Sequence, residues 1–165
     1  MKFYHENLDL LHINTMPNRS FYVPCATEEN ACRIDSKKYS EQVKLLNGEW
    51  DFCYYSDFSD LPDDFILNTA SSDKIPVPSV WQNHGYDAHQ YINDRYPIPF
   101  DPPYVPQNNP CGVYHKLFEA APSEKEYIVF DGVDSCFYLW INGNFVGYSQ
   151  VSHMTSEFDV TDLLK

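Results

Sequence analysis

The segment Phe137-Tyr138-Leu139-Trp140-Ile141-Asn142-Gly143-Asn144-Phe145-Val146-Gly147-Tyr148 constrains this chain more than any other stretch. Two short runs rich in β-branched and aromatic residues are joined by Asn-Gly. That dipeptide tolerates the positive φ angles a two-residue type I′ hairpin demands, so a tight antiparallel hairpin is predicted here. Other segments read the same way. From 112 to 120, Val113, His115, Leu117 and Glu119 alternate against Tyr114, Lys116 and Phe118. Tyr127-Ile128-Val129-Phe130 and Phe158-Asp159-Val160-Thr161 are further short strands. Leu46-Asn47-Gly48-Glu49-Trp50-Asp51-Phe52 leads from a turn into a strand with Trp50, Phe52 and Tyr54 on one face. Ile75-Pro76-Val77-Pro78 is an edge strand at most, because proline donates no ladder hydrogen bond. The 12 prolines against 6 glycines disfavour a helix bundle. Short strands at this spacing, with no helical period, predict an all-β fold, a β-sandwich or jelly roll.

Charge and cysteine content exclude several function classes. With 24 acidic against 11 basic side chains, the net charge of −13 is wrong for binding nucleic acid or an anionic membrane surface. No run is apolar enough to span a bilayer, Cys136 to Ile141 being the longest. Cys25, Cys32, Cys53, Cys111 and Cys136 are odd in number and contain no C-x-x-C pair, which predicts reduced thiols. The charged N-terminus carries no secretory pattern, so a cytoplasmic location is expected.

Residues 1–44 read as an N-terminal arm and interface segment, ordered where it docks, and residues 45–165 as the domain proper. Between Val77 and Gly112 lies a long run without secondary-structure period. Six of the 12 prolines fall between Pro97 and Pro110, among many aromatic residues. Such a connection is too aromatic for disorder, and a structureless loop beyond about 15 residues is commonly functional. The prolines reduce the entropy lost in fixing it. It is therefore a stiff loop packed on the core, on a partner domain or on a ligand.

No catalytic constellation stands out from the residues alone. The acids offer too many pairs to single one out for glycoside chemistry. His84 and His89 lack metal-ligand spacing and read as loop-packing side chains. Trp50 and Trp140 sit in strand patterns and read as core, whereas Trp81 lies in the loop and is free for either role.

The motifs taken in order carry more. They are Leu46-Asn47-Gly48-Glu49-Trp50-Asp51-Phe52, then Val77-Pro78-Ser79-Val80-Trp81-Gln82-Asn83-His84-Gly85-Tyr86-Asp87, then Asn109-Pro110-Cys111-Gly112-Val113-Tyr114. Phe130-Asp131-Gly132-Val133-Asp134-Ser135-Cys136-Phe137, Trp140-Ile141-Asn142-Gly143, Val146-Gly147-Tyr148-Ser149-Gln150 and Ser156-Glu157-Phe158-Asp159 follow. The series resembles the N-terminal sugar-binding domain of the large bacterial β-galactosidases of glycoside hydrolase family 2, over roughly residues 40–165.

The resemblance implies a galactose-binding-domain-like jelly roll, with its last strands expected after Lys165. It implies a separate catalytic barrel carrying both glutamates of a retaining mechanism, so no catalytic residue is expected in this chain, which should be inactive alone. It assigns Asn93 to an asparagine that hydrogen-bonds galactose hydroxyls, with Tyr91 beside it lining the pocket; Asp94 stands where an apolar residue is usual. Gln150 matches a glutamine associated with a magnesium site in some members, but no metal ligand is assigned here. For the full enzyme it implies magnesium and sodium, a β-galactoside substrate, the remaining domains of the same enzyme as partners, and a homo-oligomer. The alternatives are a free-standing carbohydrate-binding module, an assembly segment, or another family-2 glycosidase such as a β-glucuronidase or β-mannosidase.

Overall fold

The computed structural model describes residues 3–66, 73–91, 93–96, 98–106, 108–120 and 123–164. Its strands are β1 (His12–Ile13), β2 (Gly48–Tyr55), β3 (Asp73–Val77), β4 (Cys111–His115), β5 (Tyr127–Phe130), β6 (Cys136–Ile141), β7 (Asn144–Gln150) and β8 (Ser156–Asp159). They form three antiparallel groups, ordered β1-β7-β6, β3-β2-β4 and β5-β8. This is the all-β jelly-roll sandwich expected from the strand pattern. No helix among the described residues is long and apolar enough to cross a membrane.

The Asn-Gly hairpin is in place. Asn142 and Gly143 adopt φ of 51° and 77°, and they join β6 to β7. Asn142 also donates through Nδ2 to the carbonyl of Leu163 at 2.7 Å, tying the turn to the end of the chain. A bulge at Leu139/Trp140 shifts the register, so that Tyr138 faces Tyr148 while Trp140 faces Phe145. β3 lies at a sheet edge with Pro76 opposite Glu49, the position where a missing N–H is tolerated. The alternation from 112 to 120 becomes a strand only as far as His115. Leu117 is exposed, so nothing holds the second half of that pattern to a sheet.

Among the described residues the buried hydrophobic side chains are Phe52, Ile75, Ile141, Val146, Tyr148, Phe158 and Val160. Ile141, Val146, Phe158 and Val160 form one cluster, backed by the half-buried Ile128, Phe130, Phe137 and Leu139. Gly147 permits this contact, since a Cβ there would meet the Phe158 ring at 2.6 Å and the carbonyl of Ile13 on the other strand. Buried serines are paired as burial requires: Ser156 donates to Ser149 Oγ at 2.8 Å.

The N-terminal segment lies on the sheets of its own chain. β1 pairs with β7, Gln150 N donates to the Leu11 carbonyl at 3.1 Å, and Met16 N donates to the Glu157 carbonyl at 2.7 Å. Arg19 adds an ion pair with Glu157 at 2.8 Å. Further on, two one-turn helices, α1 (Glu28–Ala31) and α2 (Ser36–Tyr39), occupy a stretch whose sequence shows no period. Thr27 caps α1 by accepting from Asn30 N at 3.2 Å.

Candidate functional site

The long loop between β3 and β4 is built from an anchored stem and an exposed crest. The stem begins with the short turn Trp81–His84, which Gly85 ends in the left-handed region at φ 88°. Trp81 lies against Gly112 of β4, where a Cβ would come within 2.7 Å of the indole. Its ring packs 6.1 Å from Phe52 and 5.8 Å from Tyr54. Tyr86 packs edge-on to Phe52 at 5.0 Å and donates its hydroxyl proton to Asp73. That bond, ahead of burial, raises the Tyr86 phenol above its ordinary range. His84 Nε2 lies 3.1 Å from Ser79 Oγ, and His89 Nε2 lies 2.9 Å from Asn83 Oδ1. Both histidines hold the loop to itself. On the return side, Phe58 N donates to the Asn109 carbonyl at 2.8 Å.

The crest is a different surface. Tyr91 is 72% exposed, Phe100 90% and Tyr104 65%, although each is an aromatic side chain. Asn93 and Asp94 are exposed beside them. Arg95, Tyr96, Ile98 and Pro99 line a cavity of about 490 Å³ in which neither Tyr91 nor Asn93 takes part. Ile92 and Pro97, which belong to the same run, lie outside the described residues.

Tyr91 and Asn93 are brought together. Asn93 Nδ2 donates to the Tyr91 hydroxyl at 3.2 Å. An amide has two donor hydrogens and an acceptor oxygen, so this bond leaves one N–H and the carbonyl oxygen for another molecule. A group of that kind recognises a sugar hydroxyl in either role, with an apolar ring alongside for the C–H face of the sugar.

Other candidate groups are spoken for. Gln150, at the end of β7, accepts the Tyr148 hydroxyl proton on Oε1 at 2.5 Å. Among the described residues no group of three or more His, Cys, Asp or Glu side chains is placed to hold a metal ion. All five cysteines are free thiols. Burial pushes Cys111 up to about 11 and raises Cys136 as well, so both stay protonated and make poor nucleophiles at neutral pH.

Sequence reasoning did not find the Trp81–Gly112 contact that seats the loop. A glycine at the start of a β-strand, with aromatic residues on both neighbouring segments, is the signal that could have shown it. Nor did it find the Tyr91–Asn93 bond, for which two polar side chains two residues apart give no distinctive pattern.

The antiparallel all-β fold is that of a known domain family. The family model described as "Glycosyl hydrolases family 2, sugar binding domain" matches residues 43–165. The chain belongs to this family. It is 48% identical over 163 residues to the β-galactosidase of Actinobacillus pleuropneumoniae, covering 98% of this chain and 16% of that protein. Identity to the β-galactosidase of Staphylococcus xylosus is 44% over 165 residues, with the same coverage of 98% and 16%. For the β-galactosidase of Yersinia enterocolitica it is 50% over 131 residues, 76% of this chain and 12% of that protein. The chain therefore spans about a sixth of the length of the first two relatives, and it corresponds to their sugar-binding domain.

Proposed function

We propose that this chain is the sugar-binding portion of a retaining β-galactosidase that hydrolyses terminal β-D-galactosyl residues of lactose-like substrates. The observation that carries the reading is the exposed Asn93 amide, held by Tyr91 and, among the described residues, with its oxygen and one N–H open. Its role is to bind and orient galactosyl hydroxyls. The acid/base and nucleophilic carboxylates of the retaining mechanism are not assigned to residues of this chain. Hydrogen bonds to non-reacting hydroxyls that strengthen in the transition state raise kcat as well as binding.

The exposed aromatic crest supports a second part of the reading: the loop packs against the remaining domains of the same enzyme. In this reading the enzyme is a cytoplasmic homo-oligomer, and residues 1–44 are its interface segment. Magnesium and sodium belong to it through the family resemblance alone, and no described residue is assigned to either ion.

The test is hydrolysis by the full-length protein of chromogenic β-galactoside, β-glucuronide and β-mannoside. Galactoside turnover well above the other two supports the proposal. Preference for glucuronide or mannoside overturns it in favour of another family-2 glycosidase. Titration calorimetry of residues 1–165 with galactose addresses the free-standing module, which requires saturable binding without the other domains.

A further inference from the structure

Among the described residues, Arg95 is the one lysine or arginine that the chain leaves unpaired. Arg19, Arg33, Lys37, Lys38, Lys74 and Lys125 each face a carboxylate. Lys44 and Lys116 donate to the carbonyls of Glu119 and Glu49. Arg95 has no ion pair or hydrogen bond among the described residues, although Asp94 and Asp101 stand exposed on the same loop. Partners are not scarce in a chain with 24 acidic side chains against 11 basic ones.

That free guanidinium lines a cavity. Arg95, Tyr96, Ile98 and Pro99 bound about 490 Å³, within the range of small-ligand sites. Their surfaces are of two kinds. Ile98, Pro99 and the Tyr96 ring make an apolar wall, while Arg95 brings a planar fork of N–H donors matched to a carboxylate. Such a lining fits a ligand that is apolar along its body and anionic at one end. A purely apolar ligand would strip water from the guanidinium and offer nothing in return.

The position of the cavity decides which part of a substrate it meets. Arg95 follows Asn93 by two residues, which allows at most about 7 Å between their Cα atoms. Asn93 itself is outside the lining. A galactosyl group hydrogen-bonded to Asn93 then has the next part of the glycoside, its aglycone, within reach of Arg95.

We propose that the Arg95 cavity is the aglycone site of the same β-galactosidase, and that it selects galactosides whose aglycone carries a carboxylate on an apolar ring. The proposal rests on the reading of Asn93 as the galactosyl-binding amide. Arg95 holds the carboxylate through paired N–H donors, and Tyr96, Ile98 and Pro99 pack against the ring. The net charge of −13 opposes anionic ligands at long range, so the selection comes from this local cation. Arg95 grips a part of the substrate remote from the reacting bond, so its loss raises KM more than it lowers kcat.

The matched substrates are para-carboxyphenyl and para-carbamoylphenyl β-D-galactoside, alike in size and different in charge. Measuring kcat and KM of the full-length protein on both, for wild type, Arg95→Gln and Asn93→Ala, tests the proposal. In Arg95→Gln the ratio of kcat/KM values, carboxylate over carboxamide, should fall by about threefold to thirtyfold, through KM of the carboxylate. Asn93→Ala should lower both values by one factor and leave the ratio as in wild type, because the two substrates share the galactosyl part. An unchanged ratio in Arg95→Gln overturns the proposal and leaves the β-galactosidase reading standing. So does an equal loss on both substrates with a lower melting temperature, which would make Arg95 a contact with the remaining domains. If neither galactoside is hydrolysed, the β-galactosidase reading fails and the aglycone site with it.

Discussion

Gly112 and Trp81 are in contact across the foot of the long loop, with the glycine's missing Cβ occupied by the indole ring. The same space is bounded by Phe52, whose ring a Cβ at Gly112 would also meet at 2.7 Å. Both neighbours are rigid aromatics, so neither can yield cheaply. Gly112→Ala should lower stability by about 1–3 kcal/mol, as overpacked cores do. It should also shift the Trp81 environment. Urea denaturation followed by tryptophan fluorescence measures both; an unchanged midpoint would mean that the loop is seated by something else.

Tyr148 makes a second test of the core. Its ring is fully buried and its hydroxyl donates to Gln150 Oε1 at 2.5 Å. Burial drives the phenol far above its ordinary range, so the proton stays on oxygen at every accessible pH. Tyr148→Phe leaves the Gln150 carbonyl oxygen without this donor, which should cost about 1–3 kcal/mol. A variant as stable as wild type in thermal unfolding would show that the amide finds another partner.

The sequence made the strands legible where pattern and turn chemistry agree. Asn142-Gly143 announces its hairpin because few residue pairs accept two consecutive positive φ angles. Pro76 marks β3 as an edge because its missing donor leaves no other place in a sheet. The pattern at Leu117 misled, since alternation describes a strand only when a neighbouring strand is present to pair with it. Helices α1 and α2 were invisible, being single turns with no period to detect. Asn93 and Tyr91 came from resemblance alone. A single amide leaves no local signature, and only the folded loop places the two side chains together.

Asp51 sits on β2 between Lys74 and His115, accepting from Lys74 Nζ and lying 3.2 Å from His115 Nδ1. The Lys74 bond first, and His115 next, hold its carboxyl below the ordinary value of 3.8. A depressed carboxylate contributes stability that is complete above its ordinary value and lost as pH falls through its folded-state value. Acid unfolding should therefore be less steep below pH about 4 in Asp51→Asn than in wild type. Circular dichroism across an acid titration reads this directly; coincident curves would show that the triad is electrostatically neutral for folding.

The central claim is that Asn93 offers its amide to the galactosyl group. The direct measurement is kcat/KM of the full-length protein on a chromogenic β-galactoside, for wild type and Asn93→Ala. Asn93 is exposed and its side chain bonds to the equally exposed Tyr91, so the truncation leaves the core untouched. Loss of a hydrogen bond realised in the transition state should lower kcat/KM by about tenfold to a hundredfold, with unchanged thermal stability. An Asn93→Ala protein with wild-type kcat/KM would contradict the account.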